Sequence, residues 1–274
     1  MGGHKLSAKE LRRAKNFTKK QAAASTPALP QDFAETEITV LVVYILRARV
    51  HVGSKKLIED RIRIAEEQTN QTFQNSQIPL YIKVVRMEET SFPETGSFNT
   101  DLDILALKTG GQQVRKWRDE SKADLVGLIA NRGDYEGLAF SLHPRWELNP
   151  PPDPLDPSQF EYWSARGFFE IIDTCISEGY YCFVHELDHN LGAGHDVEKY
   201  LRLYPDSHGW YFDPPNDDPD EGEVGTMMSY RAADHRKFYF SNPLVSYAGE
   251  RTGDSTHNNA RAIVAAMSMV SRYR

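Results

Sequence analysis

One short window, HELDHNLGAGHD from His185 to Asp196, concentrates the residue types that bind and work a metal ion. If the stretch from Tyr180 to Leu191 is helical, His185 and His189 stand four residues apart and project from one face, where their ring nitrogens can share a cation. Glu186 then lies beside that cation. Further helix would carry the chain away from it, so Gly192, free to adopt positive φ, is where the helix should end and the chain turn back. His195 can then supply a third nitrogen, with Asp196 directly after it. Three neutral imidazoles leave Zn2+ an open fourth position for water, the layout of a catalytic rather than a structural site. Such an ion lowers the pKa of its water to about 7, and Glu186 is placed to take the proton. HExxH alone arises by chance on many helices, and paired histidines often sit on a solvated face. The full six-position pattern is expected by accident on the order of once in a million chains of this length.

The elements that must position this window can be read on either side of it. Ile38–Leu46 (ITVLVVYIL) is apolar throughout and reads as a buried strand, far short of the roughly 20 residues that span a bilayer. Gly53-Ser54 offers an N-cap, after which Ile58, Ile62, Ala65, Thr69 and Phe73 recur at helical spacing. Leu80–Met87 supplies the next strand, so strand, helix and strand form a right-handed crossover between parallel neighbours. One or two helices are expected over 101–123, and further strands over 124–130, 137–142 and 168–174. NPPPDPLDP, from Asn149 to Pro157, continues neither element, because proline lacks the amide donor and forces its neighbour extended; it reads as a surface loop. Ala260, Ile263, Val264, Met267 and Val270 predict a terminal helix within 258–272.

Composition bounds the function. The 274 residues allow one large domain or two, and a chain of this size buries about 75% of its unfolded surface without cysteine staples. Lys+Arg of 32 against Asp+Glu of 39 gives a net charge of −7, which argues against a general nucleic-acid binder or a basic membrane-surface protein. Cys175 and Cys182 exclude an all-cysteine zinc site. Residues 1–33 are basic and low in complexity, and read as a flexible tail or pro-segment remnant ahead of a domain over 34–274. Their first thirty residues hold no apolar run of the about 7 to 15 that a secretory signal needs, so the expectation is a signal already removed or another export route.

The zinc window, with GTMMSY at Gly225–Tyr230 after it, resembles the signature of the metzincin metalloproteases, an extended zinc motif followed by a methionine-containing turn. Asp196 directly after the third histidine is similar to the reprolysin or adamalysin-like branch. The NQTFQNSQIPL, RDESKADLVGLI and FYFSNPLVSYAGERTG segments resemble bacterial reprolysin-like enzymes, including peptidyl-Asp metalloendopeptidases. The resemblance implies an α+β catalytic domain: an upper subdomain (about 34–194) with a mixed twisted sheet and the zinc-binding active-site helix, and a lower one (about 195–274) with the Met-turn and a C-terminal helix. It implies Met228 as an apolar floor beneath the ligands, Phe240–Pro243 near a specificity-pocket wall, a protein or peptide substrate, and a secreted monomer. The activity implied is zinc-dependent endoproteolysis with Glu186 as general base and acid. A catalytically silent zinc-bearing binding module and a zinc amidase are the alternatives; an intact Glu186 argues against the first and a long cleft would argue against the second.

Several residues carry two readings. Tyr230 can donate to the tetrahedral intermediate or simply pack. Asp188 stands where these relatives usually have glycine and can reach the ligands' surroundings or, the preferred reading, face water. Cys182 can pair with Cys175, since Leu138 takes a position where many relatives have cysteine, or both thiols can stay buried. The acidic loop from Asp213 to Glu223 could bind Ca2+, but it lacks the ordered alternation of an EF-hand and reads as solvated. His4, His51, His143, His208, His235 and His257 show no paired spacing; His208, nearest the motif, is a weak cleft candidate.

Overall fold

A computed structural model describes residues 35–143, 153, 155–196, 203–214 and 222–274. The basic tail, most of the proline-rich stretch and the centre of the acidic loop lie outside the described residues. In chain order the elements are β1 (Thr36–Ile45), α1 (Leu46–Val52), α2 (Lys55–Asn75), β2 (Leu80–Thr90), α3 (Phe98–Leu107), α4 (Gln112–Ser121), β3 (Leu125–Ala130), β4 (Gly137–Ala139), α5 (Phe160–Ser164), β5 (Phe168–Ile172) and α6 (Cys182–His189). Two short ladders follow, β6 (Tyr211–Phe212) with β7 (Val224–Gly225) and β8 (Ser246–Tyr247) with β9 (Glu250–Arg251), and then α7 (Asn259–Val270).

The main sheet runs β2-β1-β3-β5-β4, with β4 alone antiparallel, at the edge. Both faces of β1 and β3 are covered, which is why they read as continuous apolar runs rather than alternations. Ser54 caps α2 by accepting from the Leu57 amide at 3.2 Å, and α2 connects the parallel pair β1 and β2 as its spacing predicts. The fold is therefore α+β: a mixed sheet, helices packed on it, and a C-terminal part with little regular structure before α7.

The differences from expectation have local causes. The first strand stops one residue early and the chain turns at once into α1, too short for its periodicity to show. The expected strand over 137–142 is regular only over Gly137–Ala139; the Phe140 amide still reaches the Phe168 carbonyl at 3.2 Å, and beyond it the Leu142 amide turns to the His189 carbonyl at 2.8 Å. The active-site helix is shorter than Tyr180–Leu191, because Tyr181 sits in the left-handed region (φ 53°) at its start and Asn190 ends it. Cys175 and Cys182 are joined in a disulfide, and the Cys182 amide donates to the Cys175 carbonyl at 3.0 Å, so the bridge closes the loop that leads into α6.

One buried group gives a stability test. Glu170, on β5, is fully buried, and neither carboxyl oxygen has a hydrogen-bond partner among the described residues. Burial first, then the charges of Asp101, Glu94 and Asp134, push its carboxyl up to about 10. An unfolded glutamate titrates near about 4.3. An acid whose pKa is raised by folding binds its proton more tightly when folded, so this contribution is most favourable below that unfolded value and is lost as pH rises toward the folded one. The expected slope is a fall of about 1.4 kcal/mol per pH unit. Glu170→Gln should flatten it, read as denaturant midpoints that fall less steeply across about pH 6 to 9 than in the parent. Equal slopes would remove Glu170 from the account.

Candidate metal centre and cleft

All eight residues of α6 are buried, and the i, i+4 spacing sets His185 and His189 on one face. Gly192 then takes φ +84°, and a Cβ there would meet the Leu203 side chain at 2.7 Å, so both backbone and space require glycine at the turn. The chain comes back, and His195 Nε2 lies 2.9 Å from both His185 Nε2 and His189 Nε2. The opposite nitrogens of the first two rings are committed. His185 Nδ1 donates to the Met227 carbonyl at 3.1 Å, and His189 Nδ1 donates to the Ala193 carbonyl at 2.9 Å. Their Nε2 atoms are therefore lone-pair bearers that converge on a third nitrogen, an arrangement favourable only around a shared cation. Burial, the largest cause, holds His185 well below its ordinary pKa and brings His189 down to about 4 and His195 to about 2, so all three are neutral, as ligands must be. Among the described residues this is the one group of three or more such side chains whose ligand atoms come together. The donor set fits one zinc ion.

Residues distant in sequence hold the third histidine. Asp196 accepts from Ser229 Oγ at 2.6 Å and from the Tyr230 and Arg231 amides at 3.1 Å, tying the end of the motif to the turn after Met228. Asn259, the first residue of α7, clamps Gly194 on both sides, accepting from its amide at 2.8 Å and donating to its carbonyl at 2.9 Å. His208 Nδ1 donates to the His195 carbonyl at 2.8 Å, so His208 stands behind the ligand rather than in the cleft. Met228 is fully buried, and it is the carbonyl of its neighbour Met227 that touches His185. The Tyr230 ring lies over the rings of His195 and His185, with centroids 4.0 and 5.9 Å away, and is about half exposed.

Glu186 faces a cavity of about 580 Å³ together with His185, Gly137, Tyr180, Tyr230 and Arg236. Burial pushes its carboxyl up to about 8, against the opposing pull of the Arg236 charge. Gly137 of the edge strand packs directly on it: a Cβ there would lie 2.5 Å from Glu186 Cγ and 2.6 Å from Oε1. Gly137→Ala should therefore displace the carboxylate and lower kcat by about 10- to 100-fold with zinc content unchanged, a comparison of steady-state kinetics with metal analysis. An unaltered kcat would mean that the carboxylate position is not what Gly137 protects.

One expectation changes. Asp188 does not face water: it is fully buried, both carboxylate oxygens lack hydrogen-bond partners among the described residues, and burial raises its pKa well above the usual range. The tertiary fold covers the face of α6 that a shorter reading leaves solvated. Phe240 is not among the cavity-lining residues; it is buried against Phe73 of α2, with ring centroids 5.6 Å apart, and Asn242 bonds the Ser76 carbonyl. The segment from Tyr230 to Arg236 lines the cavity beside Glu186. Gly137, Asn259 and Arg236 had no signal in the sequence, because their roles consist of contacts made across long stretches of chain.

A family model for reprolysin-type enzymes, described as metallo-peptidase family M12, matches residues 34–241. Peptidyl-Asp metalloendopeptidases of Xanthomonas campestris pv. campestris and Stenotrophomonas maltophilia (strain R551-3) are each 27% identical, over 94% and 93% of this chain and 54% and 55% of their own lengths. The chain thus spans about half the length of the curated relatives it matches. A solved chain in the structure of a chaperone–substrate complex superposes with a TM-score of 0.66 at 19% identity, over 88% of this chain and 35% of that one, a likeness of fold.

Proposed function

The chain belongs to metallo-peptidase family M12, and from that premise we propose that it is a zinc-dependent endopeptidase that hydrolyses peptide bonds in protein substrates. The observation that carries this reading is the convergence of three buried imidazole nitrogens with the carboxylate of Glu186 beside them on an open cavity. His185, His189 and His195 would hold the ion. Zinc bound there supplies Lewis acidity toward the scissile carbonyl and lowers the pKa of a water it holds to about 7. Glu186 receives the proton that the attacking water gives up and returns it to the leaving amine nitrogen. No acyl-enzyme is formed. Tyr230 donates from the cavity rim to the oxyanion that develops on the substrate, a bond worth about 3 kcal/mol when well placed. Gly192, Asp196 and Met228 keep the third histidine and its floor in register.

Among the described residues one side of β4 has no strand beside it, which supports an extended peptide as substrate, since such an edge adds a strand through backbone hydrogen bonds while the cavity takes a side chain. That openness favours a protease over an amidase with a closed pocket. We read residues 1–33 as a tail and 34–274 as one catalytic domain working as a secreted monomer; the disulfide Cys175–Cys182 supports an oxidising compartment. The relatives' names carry aspartate, and we extend to this chain a preference for peptide bonds beside that residue.

The test is hydrolysis of casein by the purified chain, with and without a zinc chelator, beside metal content by mass spectrometry. Chelator-sensitive cleavage with one zinc per chain is the expected result. Bound zinc with no cleavage of any protein would point to a binding module instead.

A further inference from the structure

Two arginines line the cavity, five residues apart, and they differ in what surrounds them. Arg231 is exposed and already paired: its Nη2 and Nε donate to Glu223 at 2.8 and 3.1 Å, and its Nη1 donates to the Tyr211 hydroxyl at 2.7 Å. Arg236 is only 6% exposed, and its hydrogen-bond partners are neutral. Nε donates to the Ser229 carbonyl at 3.0 Å and Nη1 donates to the Tyr180 carbonyl. Among the described residues Nη2 makes no hydrogen bond, and no carboxylate lies within ion-pair distance of this guanidinium. Removing a cation from water without a counter-charge is costly, so such a group is normally paired. Here two carbonyls fix the plane of the guanidinium, and the ladder contact of Arg236 with Gly225 anchors its backbone beside the methionine turn.

The cavity that Arg236 lines is the one shared by His185 and Glu186. The other acidic groups on it, Glu136, Glu223 and Asp234, are exposed at the rim, where water screens them, and Glu223 is already engaged by Arg231. Glu186 and Asp196 act on the Arg236 charge only from a distance, without a hydrogen bond or ion pair to it, so among the described residues the guanidinium stands as a preorganised donor of positive charge with no carboxylate bound to it, fixed beside the reacting centre and matched in geometry to a carboxylate.

We propose that Arg236 is the specificity-determining residue of the cleft, receiving the side-chain carboxylate of an acidic substrate residue next to the scissile bond. The assignment rests on the endopeptidase reading above and adds to it the group that selects the substrate. It predicts discrimination against the isosteric amide, because an asparagine in the same place leaves the guanidinium buried and unpaired.

The experiment uses internally quenched peptides that differ only at one residue, Asp, Glu, Asn or Ala, with the cleaved bond located by mass spectrometry. The full chain should cleave the Asp or Glu peptide with a kcat/KM about 10- to 100-fold above the Asn peptide. Arg236→Gln should bring the acidic and amide peptides to within about threefold of each other while retaining zinc, the ratio between peptides rather than the absolute rate being the readout, and Arg236→Lys should keep part of the preference. A readout independent of turnover is the binding of the uncleaved Asp and Asn peptides to the Glu186→Gln variant by calorimetry, with the Asp peptide expected to bind more tightly. Equal kcat/KM for all four peptides in the parent, equal binding of the two in the variant, or an undiminished acidic preference in Arg236→Gln overturns the assignment and leaves the endopeptidase reading standing. Absence of cleavage of casein and of every peptide overturns the endopeptidase reading, and the calorimetric comparison still decides Arg236. Should Arg236→Gln fail to fold, as a lost melting transition would show, the lysine variant and the same calorimetric comparison decide between the two outcomes.

Discussion

Glu186→Gln lowers kcat by about 10²- to 10⁴-fold and leaves one zinc per chain in place. The substitution keeps the shape that packs on Gly137 and touches none of the three nitrogens that converge. What it removes is the ability to accept a proton from the attacking water and to pass it to the leaving nitrogen. The fold should not suffer, since a buried carboxyl whose pKa is driven up by desolvation is replaced by a neutral amide. Steady-state kinetics, metal analysis and a melting curve on the same preparation check all three statements. Hydrolysis at the parent rate would sink the assignment of Glu186, and loss of zinc would move it into the ligand set.

His189→Ala has a broader effect. It removes the middle ligand of a buried cluster and leaves the Ala193 carbonyl, which accepted from His189 Nδ1, without that donor. Zinc affinity should fall by more than about 100-fold, since even the loss of a group that only orients a ligand costs about 10- to 100-fold. Turnover should fall to background with it, and added zinc should not restore it, whereas parent protein stripped by a chelator should recover when zinc is returned. Competition against a chelating dye measures the affinity. Unchanged zinc binding in the variant would mean that a different set of atoms holds the ion.

The contrast between these two variants shows which parts of the site were legible. The metal window could be read because its geometry is local: four residues of helix bring His185 and His189 together, and a glycine able to take positive φ brings back His195. The sheet was legible for a similar reason, since β1 and β3 are buried on both faces and so are apolar without interruption. Even there, the ends of elements moved. The strand over 137–142 lost half its length because the Leu142 amide found the His189 carbonyl, a partner far along the chain.

Asp188 marks the limit of local reading. Its helical position is obvious from the motif, yet whether that side of the helix meets water or protein depends on what packs there, and the structure buries it completely. The supports of His195 have the same character: Asn259 comes from the terminal helix, Ser229 from the methionine turn, and His208 from the segment between the motif and that turn.

The sequence by itself determined the three histidine donors, their spacing, the carboxylate that accompanies them and the buried strands, because each follows from the backbone geometry of a few consecutive residues. Only the tertiary structure decided that Gly137 presses on Glu186, that Cys175 and Cys182 are joined, and that Arg231 is ion-paired with a carboxylate while Arg236 is held by two carbonyls. Two arginines five residues apart are equivalent as letters; pairing and burial are properties of the surroundings, and those surroundings come from residues far away along the chain.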